Sequence, residues 1–242
     1  MSPASTAPSP RAATQQQTWQ GIAALIDHTL LRPDATRAEI LKLCGEAAHF
    51  HFNAVFVHPS YVAVAAAILR DTSVKVGTPI GFPQGATLTT VKRFEALEAL
   101  RLGAEELDMV INIGALKSGC AEFVASDICA VTEVAHDAGA IVKVILETCL
   151  LTREEKIQAC ELSLAAGADF VKTSTGLAGG GATVEDVKLM RSIVGNRAGV
   201  KASGGIRTAA EVRSMLEAGA NRIGTSSGVS IMRELSAPSL SG

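Results

Sequence analysis

Eight short apolar runs, each followed by a longer stretch with helical spacing, set the tightest limit on what this chain can fold into. The runs are Leu25 to Thr29, Ala54 to His58, Val74 to Ile80, Glu106 to Asn112, Ile141 to Glu147, Asp169 to Thr173, Gly199 to Ala202 and Arg222 to Thr225. Such alternation reads as repeated βα units, because a parallel strand reaches its neighbour only through a crossover, usually a helix. Eight units is the number that closes a sheet on itself. The expected fold is α/β, a single (β/α)8 barrel of the TIM type over residues 19–235.

Local signals agree with that count. Thr36 with Glu39, Thr152 with Glu155 and Thr183 with Asp186 place a hydroxyl three residues before an acid, the mark of a capped helix start. Gly103, Gly139, Gly167 and Gly219 each close an Ala-rich helical stretch and are followed by alanine and the next strand. This Gly-Ala step before the fourth, fifth, sixth and eighth strands is an internal repeat. Residues 1–18 and 236–242 are Ser-, Pro- and Gln-rich with few large apolar side chains, and are expected to be flexible tails.

With 22 basic and 24 acidic residues the formal net charge is -2, so the chain has no general attraction for nucleic acid or an anionic membrane. No apolar run reaches the roughly 18 residues of a membrane span, and the N-terminus lacks a secretory leader pattern. The five cysteines are scattered, odd in number and without a CxxC pair, and read as reduced packing residues. A cytoplasmic location follows as the expectation.

In a barrel of this kind chemistry sits at the C-terminal ends of the strands. Asp27, Asp108, Asn112, Lys143, Glu147, Lys172, Thr173, Lys201 and Ser203 all interrupt or end otherwise apolar runs. Each lysine taken alone reads most simply as a rim residue or a salt-bridge partner. Two lysines at adjacent strand ends are different: repulsion and burial together strip the proton from one, and a neutral amine is a nucleophile. Which of Lys143, Lys172 and Lys201 plays that part stays open at this point; Asp108 is the expected carboxylate that moves protons, or else pairs with Lys143 or Lys172. The glycine- and hydroxyl-rich segments TSTGLAGGGAT, SGGIRT and GTSSGVS follow the last three strands and form an expected phosphate site. Neither a metal-ligand pattern nor a nucleotide-binding glycine motif is present, so no metal or organic cofactor is expected. A phosphosugar isomerase or synthase on the same barrel, or a sensor that binds sugar phosphate without turnover, remains an alternative at this point.

The segments IDHTLLRPDAT, FVHPSYV, GFPQGATLTTVK, GAEELDMVINIGALKSG, KVILETCLLT, DFVKTSTG, VKASGGIRT and GTSSG, in unbroken order, closely resemble the deoxyribose-phosphate aldolase family in its short bacterial and archaeal form. The resemblance implies metal-free, reversible cleavage of 2-deoxy-D-ribose 5-phosphate to D-glyceraldehyde 3-phosphate and acetaldehyde, in the breakdown of deoxyribose phosphates. It implies Lys172 as the Schiff-base lysine, Lys201 as its tuning partner and Asp108 as the acid/base. It places Gly176, Gly204, Gly205, Ser226 and Ser227 around the substrate phosphate, and Asp27 and Thr173 along the pocket. A homodimer or higher homo-oligomer is the implied assembly. Val57 stands where some members carry a reactive cysteine, and Leu177 where some carry a polar or basic residue.

Overall fold

The computed structural model describes residues 21–236. The expected N-terminal tail and residues 237–242 lie outside them. Ser236, expected to open the C-terminal tail, instead ends the last helix and donates its hydroxyl to the Met232 carbonyl at 2.8 Å.

The eight expected strands are present, and all are parallel: β1 (Ile26–Leu30), β2 (Ala54–Val57), β3 (Lys75–Ile80), β4 (Glu106–Val110), β5 (Ile141–Ile145), β6 (Phe170–Lys172), β7 (Gly199–Ser203) and β8 (Arg222–Thr225). They pair in sequence order, and β1 pairs β8 to close the barrel. Nine helices pack outside or lead into the next element: α1 (Arg37–Phe50), α2 (Val62–Leu69), α3 (Thr89–Arg101), α4 (Ile113–Lys117), α5 (Ala121–Asp137), α6 (Arg153–Ala165), α7 (Val184–Val194), α8 (Ala209–Glu217) and α9 (Gly228–Ser236). This count is of the α-helices that lie wholly within the described residues.

The Gly-Ala repeat has a definite mechanism. Gly103, Gly139, Gly167 and Gly219 all adopt positive φ, between 73° and 109°, a region that glycine enters without a Cβ clash. That turn lets the next alanine's N–H reach back five residues: Ala104 to the Ala99 carbonyl, Ala140 to Ala135, Ala168 to Ser163 and Ala220 to Met215, at 2.9–3.0 Å. Orphan carbonyls at four helix ends are thereby satisfied and the chain is aimed into the next strand. At the helix starts, Thr36 and Thr152 form complete capping boxes, and so do Thr208 and Glu211. Thr183 accepts the Asp186 N–H as expected.

Strand alternation sorts the side chains into two environments. One face of each strand, including Ile26, Val55, Val57, Val76, Leu107, Met109, Val142, Val144, Val171, Val200 and Ile223, joins the continuous apolar core beneath the helices. The other face points into the barrel and carries Asp27, Phe56, Glu106, Asp108, Lys143, Lys172, Lys201 and Arg222. The apolar layer supplies the drive to fold, leaving the lumen free to hold charge. No helix among the described residues is long and apolar enough to cross a membrane.

Candidate active site

Strand register brings the charged lumen residues together. Asp108 is the Cα partner of Lys143, Lys172 of Lys201, and Lys201 of Arg222. Both oxygens of Asp108 are engaged by ammonium groups. Oδ2 accepts from Lys172 Nζ and from Lys201 Nζ, each at 2.7 Å, and Oδ1 accepts from Lys143 Nζ at 3.1 Å. Lys143 also donates to Glu106 Oε2 at 2.6 Å. Lys201 Nζ lies 2.6 Å from Asp27 Oδ2, an ion pair out of line for a hydrogen bond. Arg222 Nη1 ties Asp27 Oδ1 at 2.8 Å to Glu106 Oε2 at 3.1 Å.

Space for this cluster is cut by small residues. A Cβ on Gly77 would stand 2.3 Å from the Phe56 ring, so the missing side chain on β3 is what lets that ring lie across the lumen. The ring centre is 3.7 Å from Lys201 Nζ, 4.6 Å from Lys143 Nζ and 5.8 Å from Lys172 Nζ, giving three cations a shared aromatic face. Gly224 does the same for the Lys201 stem, whose Cε would lie 3.0 Å from an added Cβ.

Exposure singles out one amine. Lys143 is 0% exposed and Lys201 1%, whereas Lys172 reaches 4%. Its ammonium form is disfavoured first by burial and then by the nearby Lys201 and Lys143 charges; Asp108 opposes them, and the balance brings the amine down to about 8. Both causes named from the sequence, burial and a neighbouring cation, act on this amine, and burial is the larger. Burial also raises Asp108, but the three lysines outweigh it and hold the carboxyl well below the usual range. In the resting cluster Asp108 is held as an anion that binds and orients the three amines.

The other expected residues fall in two places. Asp27 is fully buried inside the ion cluster, paired with Lys201 and Arg222. Thr173 is also buried, and its hydroxyl clips β6 to β7, donating to the Ser203 carbonyl at 3.0 Å and accepting the Ser203 N–H at 3.1 Å. Gly176, Gly204 and Gly205 all take positive φ in the loops after β6 and β7. A Cβ on Gly204 would come within 2.9 Å of Gly181 Cα and 3.5 Å of Gly176 Cα, so these two loops touch backbone to backbone. Thr225 donates to the Ile206 carbonyl at 2.7 Å and joins the loop after β8, where Ser226 and Ser227 precede α9. The three glycine and hydroxyl loops therefore form one connected rim.

Asn112, read as a strand residue, instead caps α4 by accepting the Ala115 N–H at 3.0 Å. Glu147 sits at φ 56° beyond β5 and accepts the Thr175 N–H and hydroxyl, fixing the first turn of the loop after Lys172. Three cluster members were not singled out from sequence: Glu106, Arg222 and Phe56. Glu106 carried a usable signal, since it lies two residues before Asp108 and a strand returns to the same face every second residue.

A family model described as DeoC/LacD family aldolase matches residues 22–236. The chain belongs to that family. It is 62% identical over 213 residues to the deoxyribose-phosphate aldolase of Thermococcus gammatolerans, covering 87% of this chain and 95% of that one. Against the enzyme of the same name from Thermoanaerobacter sp. the identity is 58%, with 88% and 96% covered. Among solved structures, the tetrameric deoxyribose phosphate aldolase of Aeropyrum pernix superposes with a TM-score of 0.84 at 35% identity, over 93% of this chain and 97% of that one. An aldolase of this family fits a lumen built around buried amines.

Proposed function

We propose that this aldolase cleaves 2-deoxy-D-ribose 5-phosphate reversibly to D-glyceraldehyde 3-phosphate and acetaldehyde through an imine on Lys172. The observation that carries the reading is the placing of the Lys172 amine, buried 2.7 Å from Asp108 Oδ2 beside Lys201 and Lys143, where burial and the two cations bring it down to about 8. That amine attacks the C1 aldehyde of the open-chain sugar, and loss of water leaves a protonated imine. The C3 hydroxyl gives up its proton, the C2–C3 bond breaks and its electrons flow to the imine nitrogen. Glyceraldehyde 3-phosphate departs, and the two-carbon enamine is protonated and hydrolysed to acetaldehyde.

Roles for the remaining residues follow from geometry. Asp108, which holds both amines, and Lys201, held between Asp108 and Asp27, form the relay that takes up the C3 hydroxyl proton. The rim at Gly176, Gly204, Gly205, Ser226 and Ser227 offers close backbone approach and the start of α9 for the substrate phosphate. The role needs neither metal nor organic cofactor, because the iminium itself is the electron sink. Turnover within deoxyribose phosphate breakdown in the cytoplasm suits five cysteines that are all unpaired. A homodimer or higher homo-oligomer is the proposed assembly.

Borohydride reduction in the presence of acetaldehyde is the direct test. The expected result is an adduct of two carbons on Lys172 by peptide mass spectrometry, absent from Lys172→Leu, whose turnover falls by at least about 1,000-fold. Undiminished turnover of Lys172→Leu would sink the imine reading.

A further inference from the structure

The lumen charges form a closed set whose arithmetic has a consequence for the imine. Facing the lumen around Lys172 are Asp27 on β1, Glu106 and Asp108 on β4, Lys143 on β5, Lys201 on β7 and Arg222 on β8, with the uncharged Phe56 ring on β2 and Gly77 on β3. Glu147, beyond β5, is turned to Thr175. Without Lys172 the set holds three carboxylates and three cations, so it is neutral when Lys172 is neutral and carries one positive charge when Lys172 is protonated. All seven groups are buried, and a net charge there is far more costly than at the surface.

Resting on Lys172 as the imine-forming amine, we infer that the charge balance of the whole set, and not Lys201 alone, decides when that amine is free of its proton. Lys143 and Glu106 are then positioning residues of the reaction, although neither reaches substrate. They act through Asp108: Lys143 occupies Oδ1 and Glu106 holds Lys143, so either change alters the field that Lys172 feels at Oδ2. Removing one cation leaves an uncompensated carboxylate charge that Lys172 neutralises by keeping its proton. Removing one carboxylate does the reverse.

The test follows the rate of acetaldehyde imine trapping on Lys172, and kcat/KM for deoxyribose phosphate, as functions of pH. Lys143→Met should move the acidic limb up by about one pH unit, a tenfold loss at pH 7, and Glu106→Gln should move it down by a similar amount. The double variant Lys143→Met/Glu106→Gln restores the count and should return the limb close to the parent position. A purely structural role predicts accumulating loss without this cancellation. Limbs that stay put, that move in one common direction, or that fail to return in the double variant overturn the inference. If Lys143→Met does not fold, Glu106→Gln and the charge-balanced double variant still decide it by the direction and cancellation of the shift. Absence of any adduct on Lys172 in the unmodified enzyme defeats the proposed function and this inference with it, whereas normal trapping with unmoved limbs defeats the inference alone.

Discussion

At the residue scale, Lys172 trades stability for reactivity. Its proton is held less tightly in the fold, at about 8, than in the unfolded chain, at about 10.5, so between those values the unfolded state binds more protons and stability rises with pH. Below pH 8 the fold bears the burial of an ammonium, on the order of 3 kcal/mol. Replacing Lys172 by Met removes that titration. Relative to the parent, the variant's stability advantage should therefore shrink as pH climbs from 8 to 10.5, which urea denaturation across that range will measure. A difference that does not vary with pH would refute the burial account. Asp108 has the same pH sense in a different window: its depressed carboxyl stabilises the fold above the unfolded value and loses that contribution only in strong acid.

At the element scale, β4 is pinned from behind by a pair of helices. Lys92 on α3 and Asp127 on α5 are both fully buried, 2.5 Å apart, and Lys92 also donates to the Val110 carbonyl at 2.9 Å. That carbonyl is two residues beyond Asp108, so the pair sets where the strand carrying the central carboxylate ends. Asp127→Asn strands an ammonium in the core and should cost about 3–5 kcal/mol, whereas Lys92→Met/Asp127→Leu should cost much less. Equal losses in thermal or urea unfolding would contradict the role of the unpaired charge. Neither residue stood out in the sequence, because a lysine and an aspartate on polar-looking helices give no sign of pointing inward. The strands and the glycine-closed helix ends were legible because they rest on local chemistry, namely short apolar runs set between helical stretches and the positive φ that glycine allows. Strand ends at Asn112 and Glu147 were read too long, since a cap and a left-handed turn depend on backbone geometry that composition does not encode. The trio Lys172, Lys201 and Asp108 was visible as polar interruptions. Phe56 was not, because an aromatic in an apolar strand looks like core until Gly77 is seen across from it.

At the scale of the whole molecule, the outer surface has an unfinished face. Leu88, Val91, Phe94 and Leu97 lie exposed along the start and length of α3, and Val91 and Phe94 border a cavity of about 740 Å³ walled by Phe82 and Pro83. A patch of this kind on an isolated barrel points to a partner surface, in keeping with the proposed homo-oligomer. Light scattering is expected to give a dimer or larger species that Phe94→Glu shifts toward monomer; a monomeric parent would remove the proposal.

The lumen cluster draws its seven charged side chains from six of the eight strands. No segment shorter than residues 27–222 contains all of it. An incompletely closed barrel, however rich in helix, would carry Lys172 as an ordinary, protonated lysine. Chemical competence of that amine is thus a timer for closure: during refolding, aldehyde trapping at neutral pH should lag the helical signal and appear only as the last strand meets the first.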